Sequence, residues 1–88
     1  MYGLDGPKGP EIRKTTRPAH LEWIASLGVR KKLAGPLLAE DGAASIGSML
    51  IIEAETLGEA RDVYAADPYA RAGLWDRVEI RQFTWLPN

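Results

Sequence analysis

No cysteine occurs in this chain of 88 residues. That absence excludes disulfides, thiolate nucleophiles, iron–sulfur clusters and cysteine-based zinc fingers together. Histidine is almost missing as well. His20 is the only one, so a metal site is not expected and any imidazole chemistry runs through that ring. Charge of one sign is not in excess: 11 basic side chains face 12 acidic ones, a formal net charge of −1. A generic nucleic-acid binder carries a basic surplus, so nucleic acid is not an expected partner. No apolar run exceeds four residues, as at Met49–Ile52, against the ~18 that a membrane span needs. Such runs are also too short for the core of a signal peptide. With no membrane segment and no export or lipidation signal, the expected address is the cytoplasm. Neither a Gly-x-Gly-x-x-Gly fingerprint nor a phosphate-binding Gly-Lys loop is present.

What is present reads as one small globular domain over residues 1–88, with 45% hydrophobic and 26% charged residues. A domain of this size buries only ~60–65% of its unfolded surface. Without a disulfide or a metal, oligomerisation is the remaining route to further burial. Charge is unevenly placed. Residues 1–32 hold seven basic and three acidic side chains, and residues 33–88 hold four and nine. That pattern fits two solvated faces of opposite sign, or an anion site near the basic half.

Along the chain, Gly3 to Pro10 holds three glycines and two prolines and reads as a loop, leaving only Met1, Tyr2 and Leu4 for a first strand. Glu11 to Leu27 reads as helical and stops at Gly28. Pro18 is expected to kink this helix or to start a fresh one, with Thr16 available as a cap. His20, Trp23, Ile24 and Leu27 follow at i, i+3, i+4 and i+7, one stripe of a helix. Lys32 to Leu38 reads as a strand which Gly35-Pro36 consigns to an edge or a bulge, and Glu40-Asp41-Gly42 as a turn. Ser45 to Glu55 is the strongest strand signal. It is apolar on both parities, as a strand covered on both sides would be. Thr56 and Glu59 form a capping box for a helix reaching about Ala66. Pro68 ends it, Tyr69 to Leu74 is a loop or one more turn, and Trp75 to Trp85 reads as a last strand with a bulge near Arg81 or Gln82.

The order strand, helix, strand, strand, helix, strand is the ferredoxin-like, split βαβ plan of the α+β class. It predicts a four-stranded antiparallel sheet with two helices on one face. The other face then needs a cover, and sheet-to-sheet dimerisation fits the two-sided apolarity of Ser45–Glu55.

His20 lies on the apolar stripe of its helix, where a histidine satisfied within the core is the ordinary reading. Arg13 and Arg17 precede it by seven and three residues and share its face, a clamp for an anion; for Arg13 surface solubility is an equally ordinary explanation. Asp67 closes an apolar helix face just before a proline. If it meets His20, it fixes the ring tautomer and raises its basicity. Ser45 and Ser48 are the candidate hydroxyls. Gly47-Ser48-Met49-Leu50 lacks the second glycine of a nucleophile elbow, which leaves Ser48 as a strand residue or a substrate hydrogen-bond partner. Trp23, Trp75 and Trp85 read as core or interface anchors.

Arg17-Pro18-Ala19-His20-Leu21, Ala34-Gly35-Pro36-Leu37, Gly47-Ser48 before an apolar strand, Ala66-Asp67-Pro68-Tyr69 and Val78-Glu79-Ile80-Arg81 resemble, in this order and spacing, the YciI-like (YCII-related) proteins. The resemblance runs from about Lys8 to Trp85. It implies a ferredoxin-like fold paired into a dimeric α+β barrel, an architecture like that of muconolactone isomerases and small cofactor-free monooxygenases. It also implies a His–Asp pair in a cleft, carried here by His20 and Asp67. Dehydrochlorination of a chlorinated hydroxyquinol is the kind of activity known in the family. One departure stands out: family members open with a full strand, whereas only Met1 to Leu4 precede Asp5-Gly6-Pro7. The first strand is therefore expected to be short or truncated.

The expected function is that of a small enzyme without cofactor or metal, a lyase or isomerase acting on a small anionic aromatic or enol-type substrate. His20 is the expected general base and Asp67 its orienter, with Arg17 and Ser48 in contact with substrate. The alternative is a non-catalytic small-molecule-binding or accessory module using the same cleft. A purely structural dimerisation domain gives no reason for the arginine–histidine stripe.

Overall fold

The computed structural model describes residues 1–87. Strand β1, Tyr2–Asp5, is followed by helix α1, Gly9–Ser26, and a 3-10 turn at Gly28–Arg30. Strands β2, Lys31–Leu38, and β3, Ser45–Ile52, come next; helix α2, Leu57–Ala65, the short helix α3, Pro68–Arg71, and strand β4, Trp75–Glu79, complete the order. The sheet is antiparallel throughout, in the order β2-β3-β1-β4, which is the ferredoxin-like arrangement.

β1 is short, as expected, yet it runs through Gly3 to Asp5 instead of dissolving into a loop. Its central place explains this: Gly3 pairs with Ser48 on one side and Val78 on the other. A Cβ on Gly3 would lie 2.7 Å from the Trp75 ring, so the glycine serves close packing here, not a turn.

α1 is likewise longer than its sequence suggests. It begins at Gly9, with a proline in its first turn, and passes unbroken through Pro18. Thr16 is therefore mid-helix and caps nothing. Pro18 and Lys14 are both exposed, so water can satisfy the Lys14 carbonyl that Pro18 has no N–H to reach. The helix ends where expected, at Gly28 with φ 57°.

β2 is an edge strand with register shifts between Lys31 and Leu33 and between Leu37 and Leu38. Gly42 turns the chain into β3 with φ 76°. β3 stops at Ile52, three residues before Glu55, because α2 is already being capped there: Thr56 Oγ1 accepts the Glu59 N–H at 3.0 Å, and the Glu59 carboxylate accepts the Glu55 N–H at 3.3 Å. β4 ends at Glu79 and does not reach Trp85. Its one ladder partner is β1, whose Tyr2 pairs with Glu79, so the ladder runs out there. In the β1–β4 ladder the irregularity also lies elsewhere than near Arg81: it falls between Leu4 and Asp5, opposite β4.

Both long helices lie over the face carrying Ser48 and Leu50. Arg13 of α1 reaches Gly47 O and Ser48 Oγ, and Tyr64 of α2 donates to Leu50 O at 3.2 Å. The core between these layers contains Leu27, Leu50, Tyr64, Tyr69 and Leu74. On the opposite face Tyr2, Leu4, Leu33 and Met49 remain 36–39% exposed. Among the described residues no helix is long and apolar enough to cross a membrane.

Candidate active site

His20 projects from the inner stripe of α1 and is buried. Its Nδ1 lies 2.7 Å from Asp67 Oδ1. Asp67 is placed by local chemistry. It caps α3, and the same Oδ1 accepts the Tyr69 N–H at 2.9 Å. Pro68 at the first position of α3 pre-sets the helical turn that brings this N–H round. A carboxylate acceptor at Nδ1 puts the proton of the neutral ring there, leaving the Nε2 lone pair free.

Tyr69 holds the ring in plane. The His20 and Tyr69 rings stack with centroids 3.9 Å apart and 17° between planes, and Trp23 lies 5.9 Å from His20 on the same helix. Tyr69 in turn meets Trp75 edge-on at 6.4 Å. Burial pushes the Tyr69 phenol above its ordinary pKa, outweighing the opposite pull of Arg13 and Arg17.

Arg13 belongs to the site rather than to the surface. Its Nε donates to Asp5 Oδ2 at 2.6 Å, and its Nη2 donates to Asp5 Oδ1, Gly47 O and Ser48 Oγ at 2.8–3.0 Å. Its guanidinium carbon sits 5.2 Å from the Tyr69 centroid. Burial disfavours its charge, but the Asp5 carboxylate and the Tyr69 phenol together outweigh this and hold its pKa above the ordinary value. Gly9 makes room for the pair, since a Cβ there would lie 2.9 Å from Asp5 Oδ2. Ser48 is buried and accepts from Arg13.

A cavity of about 290 Å³ opens between α1, β2 and β3, walled by Arg13, Arg17, His20, Ser48, Leu50 and Tyr69 among others. Arg17 stands exposed on its rim, and Ser45 lines it too. No aspartate or glutamate lines it. A larger hollow of about 410 Å³ lies beside α2 and the C-terminal residues; His20 does not line it, so its size does not make it the reactive one. Among the described residues no three His, Cys, Asp or Glu side chains gather as metal ligands.

The structure thus sets His20 and Ser48 on the wall of one cavity and Arg17 at its rim, with Asp67 behind His20, bonded to the ring but not lining the cavity. Sequence reasoning missed Asp5 and Tyr69 and left Arg13 undecided. The available signals were the seven-residue spacing of Arg13 to His20 and the position of Tyr69 directly after Asp67-Pro68.

Residues 1–84 match the family profile described as the YCII-related domain. Protein YciI of Escherichia coli is 38% identical, with the alignment covering 94% of this chain and 92% of that protein. A protein of Emericella nidulans, derivative of benzaldehyde biosynthesis cluster protein C, is 37% identical over 81% of this chain and 78% of its own. Among solved structures, 5-chloro-2-hydroxyhydroquinone dehydrochlorinase (TftG) from Burkholderia phenoliruptrix, in complex with 2,5-dihydroxybenzoquinone, superposes with a TM-score of 0.84 at 29% identity, covering 94% of this chain and 89% of that one.

Proposed function

Because the chain belongs to the YCII-related family, we propose that it is a small cofactor-independent enzyme in which His20 and Asp67 act as a general-base dyad on a small anionic aromatic or enol-type molecule. The observation that carries this reading is the buried 2.7 Å contact by which Asp67 holds His20, a ring that lines an open cavity. With Nδ1 held by Asp67, Nε2 is the nitrogen left to take a proton from substrate, and Asp67 stabilises the imidazolium that results. Arg17 holds the anionic group, and Ser48, anchored by Arg13, offers a polar contact. In a dehydrochlorination, the reaction named for the structural neighbour, a substrate C–H or O–H proton passes to Nε2. The electron pair left behind becomes a new double bond, and chloride departs with the electrons of its bond to carbon. In an isomerisation the imidazolium returns the proton to another atom. Both steps need only a base, an anion contact and a cavity.

The exposed apolar sheet face supports the further reading that two copies pair through their sheets as a homodimeric α+β barrel.

Screening the purified protein against chlorinated hydroxyquinols, hydroxyquinols and muconolactones tests the proposal. Turnover is expected, with His20→Gln lowering kcat by ~10²–10⁴-fold while binding persists. Binding of such ligands without turnover would instead favour an accessory small-molecule-binding module. Full activity in His20→Gln would refute the dyad.

A further inference from the structure

The cavity walls carry four basic side chains and no carboxylate: Arg13, Arg17, His20 and Lys31. Two of the four are already compensated. Arg13 is bound bidentately by Asp5, and His20 is held by Asp67. Neither Arg17 nor Lys31 makes an ion pair among the described residues. Two uncompensated cations therefore face one small cavity, Arg17 from α1 and Lys31 from the start of β2.

Lys31 is on this wall because of a defect in the strand. Strict alternation would put residue 31 opposite in parity to Ala34 and Pro36, which also line the cavity. The register shift between Lys31 and Leu33 pairs Lys31 with Ile52 and Leu33 with Ile51, leaving Lys32 as the extra residue. One extra residue reverses parity, so Lys31 joins Ala34 and Pro36. Its neighbour Lys32 lines the other hollow and pairs with Glu53 at 3.1 Å.

We infer that Lys31 is a specificity-determining residue and that the substrate carries two anionic groups, one held by Arg17 and one by Lys31. This rests on the cavity being the substrate site. Arg17 and Lys31 are exposed at the edge of this partly enclosed hollow, where their fields add, so at low ionic strength two cations with no wall carboxylate favour a dianion over a monoanion of the same shape. The cavity, about 290 Å³, has room for one ring with two anionic substituents. Arg17 supplies a planar fork suited to a carboxylate, and Lys31 a point charge on a flexible stem, which tolerates variation in where the second group sits.

The test uses benzoate and the three benzenedicarboxylates as probes at low ionic strength, with calorimetry for affinity and the His20 ring NMR resonances for location. At least one dicarboxylate is expected to bind about tenfold or more tightly than benzoate and to shift the His20 resonances. Lys31→Gln should abolish that preference while leaving benzoate affinity nearly unchanged, and Lys31→Arg should retain it. Lys32→Gln should leave it intact; an equal loss there means general charge, not Lys31, and overturns the assignment. A preference that survives Lys31→Gln, or is missing from the native protein while benzoate still shifts His20, overturns it too, though the cavity stays an anion site. Probes that leave His20 unmoved remove both readings together.

Discussion

A single oxygen atom, Asp67 Oδ1, orients the His20 ring and caps α3. Asp67→Asn can keep an oxygen for the Tyr69 N–H but brings an amide donor beside Nδ1, so the tautomer is no longer fixed. We expect the fold to survive with a loss of ~1 kcal/mol while kcat falls by at least ~10-fold; thermal melts and kinetics on one preparation separate the two effects. Arg13 has a different weight. Its removal leaves Asp5 buried without its partner, and Arg13→Ala should cost ~3 kcal/mol, measurable as a shifted urea midpoint, with Asp5→Asn recovering part of the loss. The contact between His20 and Asp67 was legible through the family resemblance rather than from spacing, since a histidine on an apolar stripe is ordinarily satisfied within the core. Arg13 was not, because its partner Asp5 sits in a stretch that reads as a glycine–proline loop, and only the central pairing of β1 turns it inward.

At the level of elements, the same competition decided each departure from local expectation. Pro18 normally ends a helix, but α1 is held by its half-buried stripe and by Arg13 and His20 reaching inward on either side of the proline, so tertiary contacts override propensity. Pro18→Ala is accordingly expected to stabilise the protein by ~1–3 kcal/mol without altering the site, as a chemical melt and the His20 resonances would report. A neutral or negative effect would mean that the proline's local geometry is needed to seat His20. The capping of α2, the stop at Gly28 and the edge position of β2 were readable from one or two residues each. The length of β4 was not, because it depends on where the partner strand β1 stops.

For the molecule as a whole, the uncovered sheet face makes a prediction of its own. Met49→Lys places a charge amid Tyr2, Leu4 and Leu33, and if copies pair through this face it should weaken the dimer roughly a hundredfold; sedimentation that finds no change, or a monomer in the native protein, removes the sheet-to-sheet reading. Stability should also fall in alkali. Burial raises the pKa of Tyr64 and Tyr69 above the ordinary 10.0, so above about that pH the unfolded chain releases protons that the folded one keeps. The slope is then negative, and Tyr69→Phe should flatten it in urea titrations at pH 9 to 11. The same short, central β1 also governs the timing of assembly. Tyr2 must find both Met49 and Glu79, so β1 is a keystone whose second ladder cannot close until β4 has formed. Helices α1 and α2 can form early, but the hydrogen bonds that join β3 to β4 through β1 wait for β4. Pulse-labelled hydrogen exchange should therefore find the β1 amides protected last, after those that pair β2 with β3.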